Sequence, residues 1–164
     1  MTTSSRATAY ALSEANHTTH EWIRECEGKH KICTKSITIS EFMLPRRLLS
    51  IGILGSKSPF LVETASLQDK SCRYAALSHR WGNPDKLLQT ISSNIHEHYK
   101  LIGWDALPIT FQDAITVSQC LGLQYLWIDS LCIIPKNRSD FETESSSMHL
   151  IYLHCYCMIA ASDS

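Results

Sequence analysis

The sequence predicts an α/β fold in which a mostly parallel sheet is flanked by helices. Two short apolar runs, Tyr74–Ser78 and Leu123–Ile128, have the length and continuity of strands buried on both faces. Amphipathic patterns of helical period lie between and after these runs. The resulting order of strand, helix, helix, strand, helix and strand is typical of parallel strands joined by right-handed crossovers.

Composition and charge exclude several classes of protein to which the chain could otherwise belong. The chain has 164 residues, 44% of them apolar, which suits one compact domain with a sizeable core. Lys and Arg number 15 against 16 Asp and Glu, and the net charge of −1 argues against non-specific nucleic-acid binding. The first 25 residues lack an apolar signal segment, so we expect a cytoplasmic protein with reduced cysteines. The apolar run Leu150–Ala161 is too short to span a membrane.

The N-terminal part of the sequence indicates little regular structure, and a β-hairpin is expected after it. Residues 1–20 are rich in Ser, Thr and Ala and indicate a leader, after which a short helix is expected from about His20. Pro45 opens a segment with two strand-like runs, Arg46–Ile51 and Phe60–Thr64, separated by a turn-rich connection. These two runs predict a β-hairpin.

Three helices and a last strand are expected in the rest of the chain. Apolar residues at helical spacing predict a helix over much of 85–99. Thr110 with Asp113 resembles a capping box that opens a second helix, and Gly122 has the character of the residue just past its end. Ser139 with Glu142 resembles a further capping box, opening a helix through Leu153. The final run, His154–Ala161, favours a strand.

Residues just after parallel strands are the first candidates for a binding site, because open α/β sheets bind ligands beyond the carboxyl ends of their strands. The loop after the first parallel strand offers a hydroxyl, an imidazole, a guanidinium and an aromatic platform: Ser78, His79, Arg80 and Trp81. This set suits a nucleotide or phosphate, but a loop with a packed Trp81 and a solvated Arg80 explains it equally well. Asp129 and Ser130 follow the next strand and suit either a ribose hydroxyl or the cap of a turn.

Glu144 is the most unusual single residue. On a helix it lies within about 60° of Phe141, Met148 and Ile151, in the middle of the apolar stripe. A buried carboxylate there would have a raised pKa and would suit acid–base work or the stabilisation of a developing cation. The alternative is a structural carboxylate in the first turns of the helix that accepts a backbone or Arg donor.

Cysteine and histidine patterns predict no metal site. Cys26, His30 and Cys33 lie within eight residues, with Cys72 or His79 as a conceivable fourth zinc ligand. Structural zinc usually takes tighter pairs such as CxxC, so buried cysteines beside an exposed histidine are the preferred interpretation. Cys132 has no histidine paired with it in the sequence, which argues against a thiol nucleophile.

Several ordered blocks resemble one family. They are Tyr74–Gly82, Leu107–Ile115, Leu121–Ile134, and finally Glu144, Met148, Tyr152 and Ile159–Ala161. Together they are similar to a fungal heterokaryon-incompatibility (HET) domain. Leu44–Leu49 and Leu61–Thr64 resemble the lead-in that many such proteins carry.

The resemblance implies a division of the chain and a fold. Residues 1–43 would be the leader and short helix, residues 44–73 the lead-in strands, and residues 74–164 the HET domain. The fold implied is TIR-like or flavodoxin-like. Family members usually continue for hundreds of residues, so we expect the HET domain to be incomplete at its C-terminus.

The resemblance also implies two alternative functions. The first is a role in fungal non-self recognition and regulated cell death, through self-association or binding to another protein, without chemistry of its own. The second is a TIR-like NAD glycohydrolase, in which Glu144 would hold the ribose hydroxyls of NAD and stabilise an oxocarbenium-like transition state. In that case Ser78 to Trp81 and Asp129 would position the dinucleotide. Phe141 stands where many HET domains have a tryptophan three residues before the glutamate.

Overall fold

The computed structural model describes residues 18–19, 21–29, 44–80, 88–135 and 137–161. The chain forms two compact units, Met1–Phe42 and Met43–Ser164. In the first unit, residues 21–29 form a helix, α1, which agrees with the helix expected near residue 20. An ion pair of 2.7 Å between Lys29 and Glu25 lies on its exposed surface.

The second unit is built on one five-stranded sheet. Its strands are β1 (Arg47–Ser50), β2 (Phe60–Glu63), β3 (Tyr74–Ser78), β4 (Tyr125–Ile128) and β5 (Cys157–Ala160). They lie in the order β2-β1-β4-β3-β5. β3 pairs in parallel with β4 and with β5, whereas β1 is antiparallel to both β2 and β4. The α/β class and the hairpin are confirmed, but the sheet is mixed because the hairpin adds an antiparallel half.

Helices connect and flank these strands. They are α2 (Ile95–His98), α3 (Ile109–Cys120), α4 (Asp129–Cys132) and α5 (Arg138–His154). Single 3₁₀ turns lie at Thr64–Ser66 and Trp104–Ala106. Within the described residues, no helix is long and apolar enough to cross a membrane.

The helix expected over 85–99 is much shorter in the structure. Residues 81–87 lie outside the described part, and only Ile95–His98 form an α-helix in the remainder. Before α2, the Asn94 side chain accepts a hydrogen bond of 2.8 Å from the Ile91 amide, and the Thr90 amide donates to the carbonyl of Ser130. These bonds hold the backbone in turns, so the apolar spacing there reflects packing of turns rather than a continuous helix.

Both predicted capping boxes are wrong in position. The N-cap of α3 is Pro108, whose side chain has no capping hydrogen bond, so Thr110 is already inside the helix. The N-cap of α5 is Asn137, whose side chain accepts a 3.1 Å hydrogen bond from the Asp140 amide, so Ser139 is also inside its helix. Gly122 has a φ of +74° just after α3, as a residue past a helix end requires.

The core of this unit lies on both faces of the central strands. Leu48, Leu49, Leu77, Leu126 and Ile128 are fully buried. The register pairs Leu49 with Leu126, so the hairpin shares one continuous core with the parallel strands. β1 is therefore an internal strand of the sheet, with β2 on one side and β4 on the other.

Candidate functional site

The carboxyl ends of the parallel strands and the start of the hairpin meet at one edge of the sheet. β3 ends at Ser78 and β4 at Ile128, and the register places Leu77 opposite Ile128. Because β1 runs antiparallel to β4, its first residue, Arg47, lies at this same edge. The residues that follow β3 and β4 are thus brought close to the side chains that precede and begin β1.

His79 and Asp129, which follow the adjacent parallel strands β3 and β4, are neighbours at this edge. The Nδ1 atom of His79 lies 3.8 Å from Oδ1 of Asp129. The imidazole also makes an edge contact with the ring of Phe111, with centroids 4.9 Å apart. Burial lowers the pKa of His79, and the charge of Asp129 offsets only part of that effect. The imidazole is therefore held neutral near pH 7.

Polar atoms around this pair lack partners. Within the described residues, neither ring nitrogen of His79 has a hydrogen-bond partner, and the same holds for Oγ of Ser130 and Nε1 of Trp127. Such groups usually find a partner when they are buried, since an unmade hydrogen bond costs about 1–3 kcal/mol. This part of the edge has capacity for a polar ligand or for ordered water.

Asp129 also lines a small cavity of about 170 Å³. Oδ1 of Asp129 accepts a 2.6 Å hydrogen bond from the Ser130 amide, which fixes the carboxylate at the start of α4. The remaining walls are mainly apolar: Ile133, Pro135, Phe141, Ser145 and Met148. Pockets that enclose a drug-sized molecule usually measure about 300–1,000 Å³, so this cavity has room for a single ring rather than a dinucleotide.

Glu144 is buried on α5, with 5% of its surface exposed. Its Oε2 atom accepts a hydrogen bond of 3.3 Å from the backbone amide of Arg46. Burial raises the pKa of Glu144, against the opposing effects of that hydrogen bond and of the charge on Arg47. The cavity beside Asp129 is lined by other residues of the same helix and not by Glu144. Its carboxylate is therefore turned toward the hairpin.

A buried charge cluster joins the hairpin to α5, and the sequence reasoning missed it. Arg47 donates to the carboxylate of Asp140 and, at 2.8 Å, to the carbonyl of Cys132. Arg46 donates to the other oxygen of Asp140 at 3.0 Å and to Glu63 at 3.3 Å. The Tyr99 hydroxyl also donates to Glu63. One signal was present in the sequence, because Asp140 lies four residues before Glu144 and so shares its helix face.

The remaining candidates are dispersed. Ser78 ends β3, where its carbonyl accepts a 2.9 Å hydrogen bond from the Ala161 amide, and Arg80 is exposed. Trp81 lies outside the described residues, as do His30 and Cys33. The described part of the chain contains no group of three side chains able to hold a metal ion. Burial raises the pKa of the Cys132 thiol to about 12, which makes it unreactive.

Comparisons with known proteins gave one match. A family model described as Heterokaryon incompatibility protein (HET) matches residues 74–164. Neither the search of curated proteins nor the search of solved structures found a match. The matched region covers more than half of the chain. It begins at the first residue of β3 and includes β4, α5 and β5.

Proposed function

This chain belongs to the heterokaryon-incompatibility (HET) family, and we propose that it acts in fungal non-self recognition by associating with a second copy of itself or with another protein. Association would bring about the growth arrest or cell death that follows recognition. Family membership supports the biological role. Exposed apolar side chains on the second unit support association as the mode of action.

The observation that carries this proposal is a pair of adjacent aliphatic side chains at the tip of the β1–β2 turn. Ile53 is 74% exposed and Leu54 is 63% exposed. Single exposed apolar residues are ordinary, but two in sequence on a surface turn leave apolar area in water with no benefit to folding. Such area is released from water when another surface covers it. The turn is therefore better suited to contact with a protein than to exposure alone.

Two measurements on the full chain test this function. Sedimentation velocity at increasing concentration should show species heavier than the 18.6 kDa monomer, or a complex when a recognition partner is added. Expression in a filamentous fungus should arrest growth, and an Ile53→Asp/Leu54→Asp double variant should weaken the arrest. A matched control is Leu153→Asp, because Leu153 is equally exposed, at 67%, but lies near the end of α5. Unchanged arrest in the double variant, from a protein that stays monomeric with every partner tried, would contradict the proposal.

A second candidate function is cleavage of NAD, favoured by the burial of Glu144. A carboxylate that is removed from water interacts more strongly with a positive charge that develops beside it. In this reaction the bond between nicotinamide and ribose breaks, nicotinamide leaves with the electron pair, and water adds to the oxocarbenium-like ribose. To hold the ribose hydroxyls, Glu144 would have to turn its carboxylate from the Arg46 amide toward Asp129. Ser78, His79, Arg80, Trp81 and Asp129 would then position the rest of the dinucleotide.

Release of nicotinamide from NAD tests this second candidate. We expect Glu144→Gln to lower the rate at least about tenfold, because the amide carries no charge to stabilise the cation. Glu142→Gln is the matched control, since Glu142 lies on the same helix but is exposed and pairs with Arg138 at 2.7 Å. Equal rates in both variants, or no release at any protein concentration, would remove Glu144 from catalysis.

A further inference from the structure

The small cavity beside Asp129 is buried at one end and open at the other. Asp129 and Ile133 are 9% and 5% exposed and form the buried end, whereas Phe141 is 42% exposed and lies at the opening. The residues between them are half-buried: Pro135, Ser145 and Met148. We call this feature the Asp129 cavity. It is a slot that a single side chain of another molecule can enter from the solvent.

The Asp129 cavity carries a negative charge. Among the described residues that line it, Asp129 alone is ionisable. The imidazole of His79, next to Asp129, is neutral near pH 7 because burial lowers its pKa, so it does not cancel the charge of the carboxylate. Arg80 and Arg138 are exposed and do not line the cavity, and Arg138 pairs with Glu142 at 2.7 Å. The charge at the buried end therefore favours a cation as the occupant.

The walls and the volume of the cavity suit a lysine side chain. Ile133 and Met148 present apolar surface that matches the methylene stem of a lysine, and Asp129 at the buried end matches its ammonium group. An apolar cavity of about 150 Å³ holds benzene, so the 170 Å³ of the Asp129 cavity hold about six non-hydrogen atoms. A lysine side chain has five such atoms and fits, whereas an arginine side chain has seven and exceeds the space.

The carboxylate also favours an ammonium over a guanidinium. Oδ1 of Asp129 accepts a 2.6 Å hydrogen bond from the Ser130 amide, which holds the carboxylate in one orientation. A guanidinium binds best to both oxygens of a carboxylate at once, whereas an ammonium is a compact charge that needs a single oxygen. A carboxylate with one oxygen already engaged therefore suits lysine better. Because it is fixed before binding, it loses little conformational entropy when the ammonium arrives.

The lysines of this chain bear on where that side chain comes from. Three of them are described in the second unit. Lys57 lies over the Trp104 ring, with Nζ 5.5 Å from its centre, and Lys70 donates a 2.7 Å hydrogen bond to the Ala65 carbonyl. Lys100 is exposed and could be offered by a second copy. A different protein is the better source, because two of the three lysines would have to leave contacts within their own chain.

We propose that the Asp129 cavity binds a lysine side chain on the surface of a different protein. The methylene stem packs against Ile133 and Met148, and the ammonium donates to the carboxylate of Asp129. Phe141 at the opening packs beside the backbone that carries the lysine. This inference rests on the partner-binding half of the proposed function and names the chemistry by which the partner is recognised.

The first test measures the binding of short peptides to the full chain. The peptides are acetyl-Gly-X-Gly-amide, where X is lysine, norleucine, Nε-acetyllysine or arginine. Methyl-labelled methionine reports on the cavity, and Met148→Leu identifies the Met148 signal among those of the four methionines. We expect the lysine peptide to shift that signal with a dissociation constant at least about tenfold lower than those of the other peptides, because lysine alone combines the fitting length with the charge.

Variants separate the charge of the cavity from its apolar walls. Asp129→Asn should weaken binding of the lysine peptide at least about tenfold and leave the norleucine peptide unchanged, because the ammonium contacts the carboxylate. Glu142→Gln is the matched control, since it removes an exposed carboxylate on α5 that does not line the cavity. Ser145→Leu fills the cavity and should abolish binding of both peptides. It tests the cavity even if thermal unfolding shows that Asp129→Asn does not fold.

Three outcomes would overturn the chemistry of this inference. Equal binding of the lysine and norleucine peptides would show that the charge of Asp129 plays no part. Tighter binding of nicotinamide than of the lysine peptide would make a ring the occupant. Loss of self-association in Lys100→Ala, measured by sedimentation, would make a second copy the source of the lysine.

The fungal assay separates a failure of this inference from a failure of the proposed function. A chain that arrests growth but binds none of the peptides would refute the cavity and leave the proposed function standing, as would arrest that Asp129→Asn leaves intact. A chain that binds the lysine peptide but neither associates with a partner nor arrests growth would refute the proposed function, and with it the role given to the cavity.

Discussion

Arg47 on β1 and Asp140 on α5 form an ion pair in which each side chain is only 1% exposed. The carboxylate of Asp140 also accepts a 2.9 Å hydrogen bond from the Ile134 amide, and Arg47 donates to the Cys132 carbonyl. Both charges therefore have several partners in the core. Removing one partner would leave the other charge buried and uncompensated.

We predict that Asp140→Asn destabilises the protein by about 3–5 kcal/mol. Urea unfolding followed by circular dichroism measures this change. Arg46→Met provides the control, because Arg46 pairs with the same carboxylate at 3.0 Å but has a side chain that is 56% exposed. An exposed pair of this kind contributes about 0–1 kcal/mol. If both variants lost a similar free energy of unfolding, burial of the Arg47–Asp140 pair would not increase its contribution to stability.

The same aspartate gives the stability a dependence on acid pH. Burial by itself would raise the pKa of Asp140, but hydrogen bonds from Arg47 and Ile134, together with the two Arg charges, outweigh it and lower the pKa. The contribution is present above the unfolded pKa of about 3.9 and is lost as pH falls through the lower folded pKa. The free energy of unfolding should therefore drop below about pH 4 in the wild-type protein, and less steeply in Asp140→Asn.

The contribution of Glu144 to the free energy of unfolding should depend on pH in the opposite sense to that of Asp140. Burial raises the pKa of Glu144 above the unfolded value of about 4.3, so the folded state disfavours its charged form. Its contribution is fully present below the unfolded pKa and is lost as pH rises through the folded pKa. We expect Glu144→Gln to be more stable than wild type at pH 7, with the difference disappearing near pH 4. A midpoint of thermal unfolding that is lower than wild type at pH 7 would contradict this expectation.

The buried imidazole of His79 should make the protein less stable in mild acid. Burial lowers the pKa of His79 below the unfolded value of about 6.5, so the folded state favours the neutral imidazole. Stability is present above about pH 6.5 and falls as pH drops through the folded pKa. His79→Phe should flatten the pH profile of the unfolding midpoint in this range. Part of the slope should remain, because burial also lowers the pKa of His98, and an unchanged profile would refute the prediction for His79.

Two glycines with positive φ should differ in their tolerance of a methyl group. At Gly122 a Cβ atom would meet open space, so Gly122→Ala should cost about 1–2 kcal/mol from the backbone conformation alone. At Gly52 a Cβ atom would lie 2.8 Å from Oγ and 2.9 Å from Cβ of Ser56, so Gly52→Ala should cost more. Comparing the two urea midpoints tests the ranking. Equal urea midpoints would contradict this ranking, because they would mean that the turn at Gly52 shifts to accommodate the added methyl group at no extra cost.

Local patterns in the sequence predicted the strands well because continuous apolar runs report burial directly. The run Tyr74–Ser78 coincides with β3, and the run that starts at Leu123 contains β4. The same patterns were less reliable for the helix expected over 85–99. There the spacing of apolar residues came from turns that Asn94 holds by side-chain bonds. Periodicity cannot distinguish these cases when the stabilising contact is a polar side chain.

Long-range partners were beyond the reach of sequence reasoning. Arg47 and Asp140 are separated by 93 positions, and nothing local in the Arg46–Arg47 pair shows which arginine is buried. The approach of His79 to Asp129 was predictable because both follow parallel strands that are neighbours. The direction in which the Glu144 carboxylate points was not predictable, since it depends on how α5 packs against the hairpin. The functional roles of these residues stay predictions.

The position of β1 inside the sheet bears on how genes of this family can be recombined. The family model begins at Tyr74, yet two of the five strands, β1 and β2, precede that point. A chimera joined at residue 74 would combine β4 of one parent with a foreign β1, and with foreign partners for Asp140 and Glu144. A crossover near residue 43 would instead inherit the whole sheet from one parent, so viable hybrids should have their junctions there.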